Sequence, residues 1–272
     1  MRLPNLIVAV VLLAVPAVHA QEQVAADAPE RLLLSVPWDG AVIAGSVAAM
    51  GLSTLIPVDR SSRWNTQLLP FDSHLEGRYS AQAANVSDIL LAVDVSMPTA
   101  LFLRQGLDAN AGRRVVVYGE ALLVSLAFDS LVKPLVSRPR PYTYSDDPAL
   151  AARTQSEDAH LSFYSRHSST TFAASVSGAL LFAQSTSDTN ARAAVWLVEL
   201  ALASATADLR TRAGMHFYSD VLVGAAVGST VGIAVPYFHG VRSPRLGKLE
   251  WLAIVLGPLV GIALGELMPV GG

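Results

Sequence analysis

Seven long apolar stretches dominate the chain and leave little room for any fold but packed helices: Trp38–Val58, Val86–Leu107, Val115–Val132, Ser168–Gln184, Ala193–Leu209, Tyr218–Phe238 and Leu249–Leu267. No alternating apolar–polar pattern of the strand type competes with them, so the expected class is all-α, a helical bundle. Several stretches approach the roughly 20 residues that a bilayer span requires. They also carry acids: Asp88 and Asp94, Glu120 and Asp129, Glu199 and Asp208. A carboxylate facing lipid is costly, so these are expected to face the bundle interior or a polar end.

Composition narrows the function classes. Charged residues make up 15% of the chain, against about a quarter in a soluble domain. With a net charge of −3, there is no basic surface for a polyanion, and a nucleic-acid partner is excluded. The absence of cysteine removes thiol catalysis, iron–sulfur clusters, disulfides and Cys-ligated zinc. A large apolar core or a membrane-embedded bundle remains.

The first residues read as a targeting segment. Arg2 precedes an apolar run from Leu6 to Val18, and Val18-His19-Ala20 places small residues where a signal peptidase cuts. The expected division is a signal peptide over 1–20, an N-terminal segment over 21–37, and a helical domain over 38–272 with its core at 115–238. Arg113-Arg114, Arg192 and the Arg242/Arg245/Lys248 group fall in three connectors that share one side if the last five stretches span. The positive-inside tendency makes that side cytoplasmic, and the intervening connectors periplasmic. A cleaved signal inverts this parity if Trp38–Val58 and Val86–Leu107 both span. The first of them is therefore expected to lie along the surface or to pack as a half-buried helix; a soluble periplasmic bundle is the alternative.

Three polar clusters sit at the ends of apolar stretches. Lys133, Arg138 and Arg140 lie within eight residues, followed by prolines that stop a helix. Singly, they fit a membrane edge, a dipole cap, or an ordinary ion pair from Asp129 to Lys133. Ser165-Arg166-His167-Ser168-Ser169 leads into the next stretch, where a serine N-cap and free N–H groups make an anion site. Arg210-Thr-Arg212-Ala-Gly-Met-His216-Phe-Tyr-Ser-Asp220 puts His216 and Asp220 four apart at an expected helix start. There a carboxylate on Nδ1–H would free Nε2 as base, ligand or nucleophile. A structural pair or half of a metal site has the same spacing.

In their order and spacing, Lys-x6-Arg-Pro, Ser-x-His and Arg-x5-His-x3-Asp resemble the type 2 phosphatidic acid phosphatase superfamily, with its bacterial acid phosphatases and vanadium haloperoxidases. The run from Arg212 to Gly224 is especially similar to that family's third motif, and the likeness covers roughly Val115 to Phe238. Two positions depart from it. Arg166 stands where the family has Gly, adding bulk and a cation beside the phosphate loop, and Leu209 replaces a serine.

The resemblance implies a phosphatase acting on a phosphomonoester or pyrophosphate, with no cofactor and no metal. It implies His216 as nucleophile, Asp220 as its orienting carboxylate, and His167 as the acid that protonates the leaving oxygen. Lys133, Arg140 and Arg210 would surround the phosphate, joined by Ser165 and Arg166, with Arg138 and Arg212 as further cations. The apolar stretches favour a lipid phosphate substrate and a membrane location, with the site facing the periplasm of a bacterial inner membrane. The alternatives are a soluble periplasmic acid phosphatase acting on small phosphomonoesters, and a catalytically impaired membrane protein that binds anionic headgroups.

Overall fold

A computed structural model describes residues 32–64, 69–242 and 246–270. The expected signal peptide, most of the 21–37 segment and Arg245 lie outside them. Among the described residues there are helices and no strands. Seven are long: α1 (Val36–Ser53), α3 (Ala81–Arg104), α4 (Ala109–Val136), α6 (Arg166–Ala183), α7 (Thr189–Arg212), α8 (Tyr218–Phe238) and α9 (Lys248–Leu267). Two short ones, α2 (Pro70–Ser73) and α5 (Ala151–Thr154), lie in the connectors.

Helix starts follow local chemistry. The side chains of Ser80, Asp108, Ser165 and Asp188 each accept from a backbone N–H of the first turn of α3, α4, α6 and α7. α4 stops at Ser137, whose φ of 47° is left-handed. Helix α6 is the most enclosed, buried along nearly its whole length by α3, α4, α7 and α8.

Close approach comes from glycines spaced four apart. A Cβ on Gly224, Gly228 or Gly232 of α8 would meet the backbone of α6 at Ser165, Ser169 or Ala173. Gly257 and Gly261 of α9 face α7 in the same way, at Leu197 and Ala201. Such small-residue stripes let helices pack by their backbones without a large apolar interface. The outward faces of α8 and α9 carry Leu222, Ile233, Phe238, Leu252, Val255, Leu259 and Leu267, all exposed. Four segments, Ala81–Arg104, Ala109–Tyr144, Tyr218–Phe238 and Lys248–Leu267, are long and apolar enough to cross a membrane.

The acids sit as expected. Asp94, Glu120, Asp129 and Glu199 are buried inside the bundle, and Asp88 is at a polar end. Helix α1 packs against α4 with Asp39 and Ser46 buried and most of its other residues, Trp38, Val47 and Leu52 among them, exposed. It does not lie flat: Asp39 sits at the end of α8, whereas Asp59, just past the helix, donates its N–H to Ser137 Oγ at the far end of α4.

Candidate active site

The bundle gathers the ends of α4 and α7 and the starts of α3, α6 and α8 at one end. There the connectors are laced by main-chain bonds: Arg140 N to Ala159 O, Ser162 N to Arg138 O, Tyr142 N to Gly214 O, and Ser80 N to Ala213 O. Gly214 is required at its position. Its φ is +67°, and a Cβ would run into the Arg78 carbonyl. The turn it makes delivers Met215 and His216 beneath the 138–142 segment.

The long connectors thus enclose a cavity of about 500 Å³ lined by Lys133, Arg140, Arg166, His167, Arg210 and His216. Six of the eight residues singled out from sequence therefore converge, from three separate segments. Asp88, Asp158, Arg153, Tyr79 and Asn85 complete the walls.

His216 is fully enclosed. Its Nδ1 lies 2.8 Å from Ser162 O. A carbonyl can only accept, so Nδ1 carries the proton and Nε2 presents a lone pair. Nε2 faces Arg140 Nη1 at 3.4 Å. Burial, reinforced by the charges of Lys133, Arg140 and Arg210, holds the imidazole well below its usual pKa and hence neutral.

The sequence placed Asp220 on His216 Nδ1 through a helical i,i+4 relation. The helix instead begins at Tyr218, so His216 precedes it, and Asp220 Oδ2 is 3.9 Å from Nδ1. Asp220 accepts from Phe217 N at 2.9 Å, Ser162 Oγ at 2.6 Å and Arg138 Nη1 at 2.5 Å. Its hold on His216 is indirect: it fixes Ser162, whose carbonyl fixes the ring.

The cations divide into two groups. Arg140 is clamped by Asp158 through Nη2 to Oδ1 at 2.7 Å and by Met215 O at 2.8 Å. Burial opposes ionisation of Asp158, yet Arg140 beside it brings its carboxyl below the ordinary value. Lys133 Nζ donates to Leu161 O at 2.7 Å and lies 3.7 Å from Asp129. Arg210 Nη1 touches Ser87 Oγ and Asp88 Oδ1, while its buried Nε has no partner. Arg138, in contrast, turns away from the cavity. It bridges Asp72 at 2.9 Å and Asp220, with its guanidinium over Phe217 and Trp64. Arg212 donates to Gly265 O and Met268 O, fastening the end of α9.

His167 is the second residue of α6, and its Nε2 lies 2.7 Å from Asp88 Oδ1. Burial lowers its pKa, and the Asp88 bond partly offsets this. Ser165 caps α6 and ties it to α8 through Ser165 N to Asp220 O; it is not among the residues lining the cavity. Arg166 reaches sideways, its Nε 2.6 Å from Asp129 Oδ2 and its side chain half exposed.

Residues 114–244 match the family model described as the PAP2 superfamily. That stretch, just under half of the chain, is similar to the PAP2 superfamily. It contains Lys133, Arg140, His167, Arg210, His216 and Asp220, whereas Asp88 comes from α3 and Tyr79 from the connector just before that helix. The chain is also 35% identical over 130 residues to decaprenylphosphoryl-5-phosphoribose phosphatase of Mycobacterium tuberculosis, in strains CDC 1551 / Oshkosh and H37Rv. The alignment covers 48% of this chain and 64% of the mycobacterial protein, so the chain spans less than two thirds of that relative's length. No solved structure matches.

Asp88, Asp158 and Ser162 were not singled out as site residues from sequence. Asp88 had a signal, being an acid in the first turns of an apolar stretch. Asp158 was one of several acids in a long connector, and Ser162 contributes a backbone oxygen that no residue type advertises.

Proposed function

We propose that the chain is a phosphatase that hydrolyses a phosphomonoester or pyrophosphate of a lipid, through a phosphohistidine on His216. The observation that carries this reading is His216 Nε2: unprotonated, aimed at Arg140, in one cavity with Lys133, Arg210 and His167. Phosphoryl transfer asks chiefly for position and for positive charge around the equatorial oxygens. Lys133, Arg140 and Arg210 supply that charge, and the unpartnered Nε of Arg210 has a donor to spare.

In the first step, Nε2 attacks phosphorus as the bond to the leaving oxygen breaks, and the imidazolium of His167 gives that oxygen its proton. In the second, neutral His167 takes a proton from water. The water oxygen bonds to phosphorus, the N–P bond breaks, and inorganic phosphate leaves. The first turns of α3, an apolar helix, form one wall of the cavity, which favours a substrate with a prenyl or acyl tail. The named mycobacterial phosphatase supports the same class. The exposed apolar belt of α8 and α9 favours this over a soluble acid phosphatase. Arg166, drawn aside by Asp129, favours an active enzyme over a blocked one.

Arg113, Arg114 and Arg192 lie at the starts of α4 and α7, the end opposite the cavity. That asymmetry supports a membrane protein with its site facing away from the cytoplasm, in the periplasm of a bacterial inner membrane. Because the chain has no cysteine, single Ser→Cys variants at each end can be labelled in intact cells. Labelling of the Arg192 end and not the cavity end reverses the orientation.

The test of the reaction is phosphate release from lipid phosphates and from a water-soluble ester, with alkaline quenching to trap the intermediate. Wild type should retain phosphate on histidine and His216→Ala should lose both signals while staying folded. Near-normal turnover by His216→Ala would sink the proposal.

A further inference from the structure

At the end of the bundle remote from the cavity, Asp39 of α1, Glu120 of α4 and His239 at the end of α8 converge. One ligand atom from each lies within 4.8 Å of the others. The three residues are 6%, 2% and 3% exposed, so bulk water does not solvate them. Glu120 is thirteen residues before Lys133, roughly 20 Å along α4, and plays no part in the cavity.

Two of the three side chains are already oriented from behind. Asp39 Oδ2 accepts from Ser35 N at 2.8 Å. His239 Nδ1 donates to Leu33 O at 2.8 Å, which turns Nε2 inward, 2.7 Å from Glu120 Oε2. Two oxygens are left over: Asp39 Oδ1 and Glu120 Oε1 are buried with no hydrogen-bond partner. A pair of buried carboxylates with unmatched oxygens is relieved either by a proton on one of them or by a cation between them. An imidazole Nε2 whose Nδ1–H is anchored on a backbone carbonyl is the arrangement that metal-bound histidines show.

We propose that Asp39, Glu120 and His239 bind a divalent first-row transition-metal ion of the zinc class. One nitrogen and carboxylate oxygens suit zinc better than magnesium or calcium, which prefer all-oxygen sites. The proton shared by His239 Nε2 and Glu120 Oε2 leaves to solvent as the ion enters. The ion ties the start of α1 to α4 and α8, fastening the first helix onto the bundle. Asp39 lies outside the 114–244 stretch, so the site joins that stretch to the helix nearest the start of the described residues. It is independent of the phosphatase chemistry.

The test uses the full chain in detergent, stripped with a chelator and titrated with zinc chloride alone, without substrate. Bound metal is counted, thermal unfolding is followed, and the zinc X-ray absorption spectrum is recorded. Wild type should take up one ion whose shell holds a single imidazole, and its Tm should rise with zinc concentration. Asp39→Asn and Glu120→Gln, which preserve volume, should each weaken binding at least tenfold and cancel the Tm rise. Three outcomes overturn the proposal: no uptake by wild type, undiminished uptake by both variants, or a shell of two imidazoles, which would place the ion at His167 and His216.

Discussion

The imidazole of His216 donates to the main-chain carbonyl of Ser162 at 2.8 Å, and the Asp220 carboxylate stands back at 3.9 Å. A carbonyl, not a carboxylate, therefore selects the tautomer. Asp220 acts through Ser162, Phe217 and Arg138, so Asp220→Asn should loosen the ring's seat rather than change its protonation. We expect kcat to fall and the acid limb of the pH profile to stay in place, measured with one soluble ester.

His167 as proton donor predicts a leaving-group dependence. His167→Ala should slow hydrolysis of an alkyl phosphate by about 10²–10⁴-fold. A p-nitrophenyl ester, whose leaving oxygen needs no proton, should lose far less. Equal losses on both esters would remove His167 from that role.

The pH profile follows from the two histidines. His216 must be neutral, and its pKa lies well below the usual 6.5, so the acid limb of kcat/KM falls well under that value. His167 must be protonated, and its pKa is also lowered, so activity declines as pH rises toward neutrality. The optimum is therefore acidic. Because Asp88 favours the protonated ring, Asp88→Asn should move the alkaline limb to lower pH. A limb that stays put, or moves up, would contradict the pairing.

Arg138 should behave as a structural residue. Arg138→Ala leaves Asp72 and Asp220 buried without their cation, a loss of about 3–5 kcal/mol that thermal or denaturant unfolding would register. Arg140→Ala should spare stability by comparison and lower kcat by about 10²–10³-fold, as removal of a transition-state donor does. Reversed behaviour of the two arginines would overturn this division.

Arg166 tests the departure from the family pattern. Its guanidinium, held by Asp129 at 2.6 Å, borders the cavity and does not fill it. Arg166→Gly should leave kcat within about threefold and raise KM, the signature of lost ground-state binding. A large gain in kcat would mean that Arg166 obstructs the site.

Much of this was legible in the sequence because apolar periodicity and motif spacing are local properties. The seven long helices fall where seven apolar stretches stand, and Lys133, Arg140, His167, Arg210 and His216 could be named from three short segments. The helix starts were less legible. His216 and Asp220 look like one turn of helix, but the chain turns at Gly214 and the helix begins only at Tyr218. Arg138 and Arg140 are two residues apart and indistinguishable by type, yet one points at Asp72 and Asp220 and the other at Asp158 and His216.

What the sequence determined by itself is the helical class, the apolar belt and the set of residues with the right chemistry. Tertiary structure alone decided which of those residues share a cavity and which merely hold it. The reason is that the deciding partners are distant in the chain or belong to the backbone. Asp88 reaches His167 and Arg210 across 79 and 122 residues, and Ser162 governs His216 through a carbonyl that every residue possesses. Likewise nothing in the chain order joins Asp39 to Glu120 and His239. Only the packing of α1 on α4, beside the end of α8, brings three buried ligand atoms together.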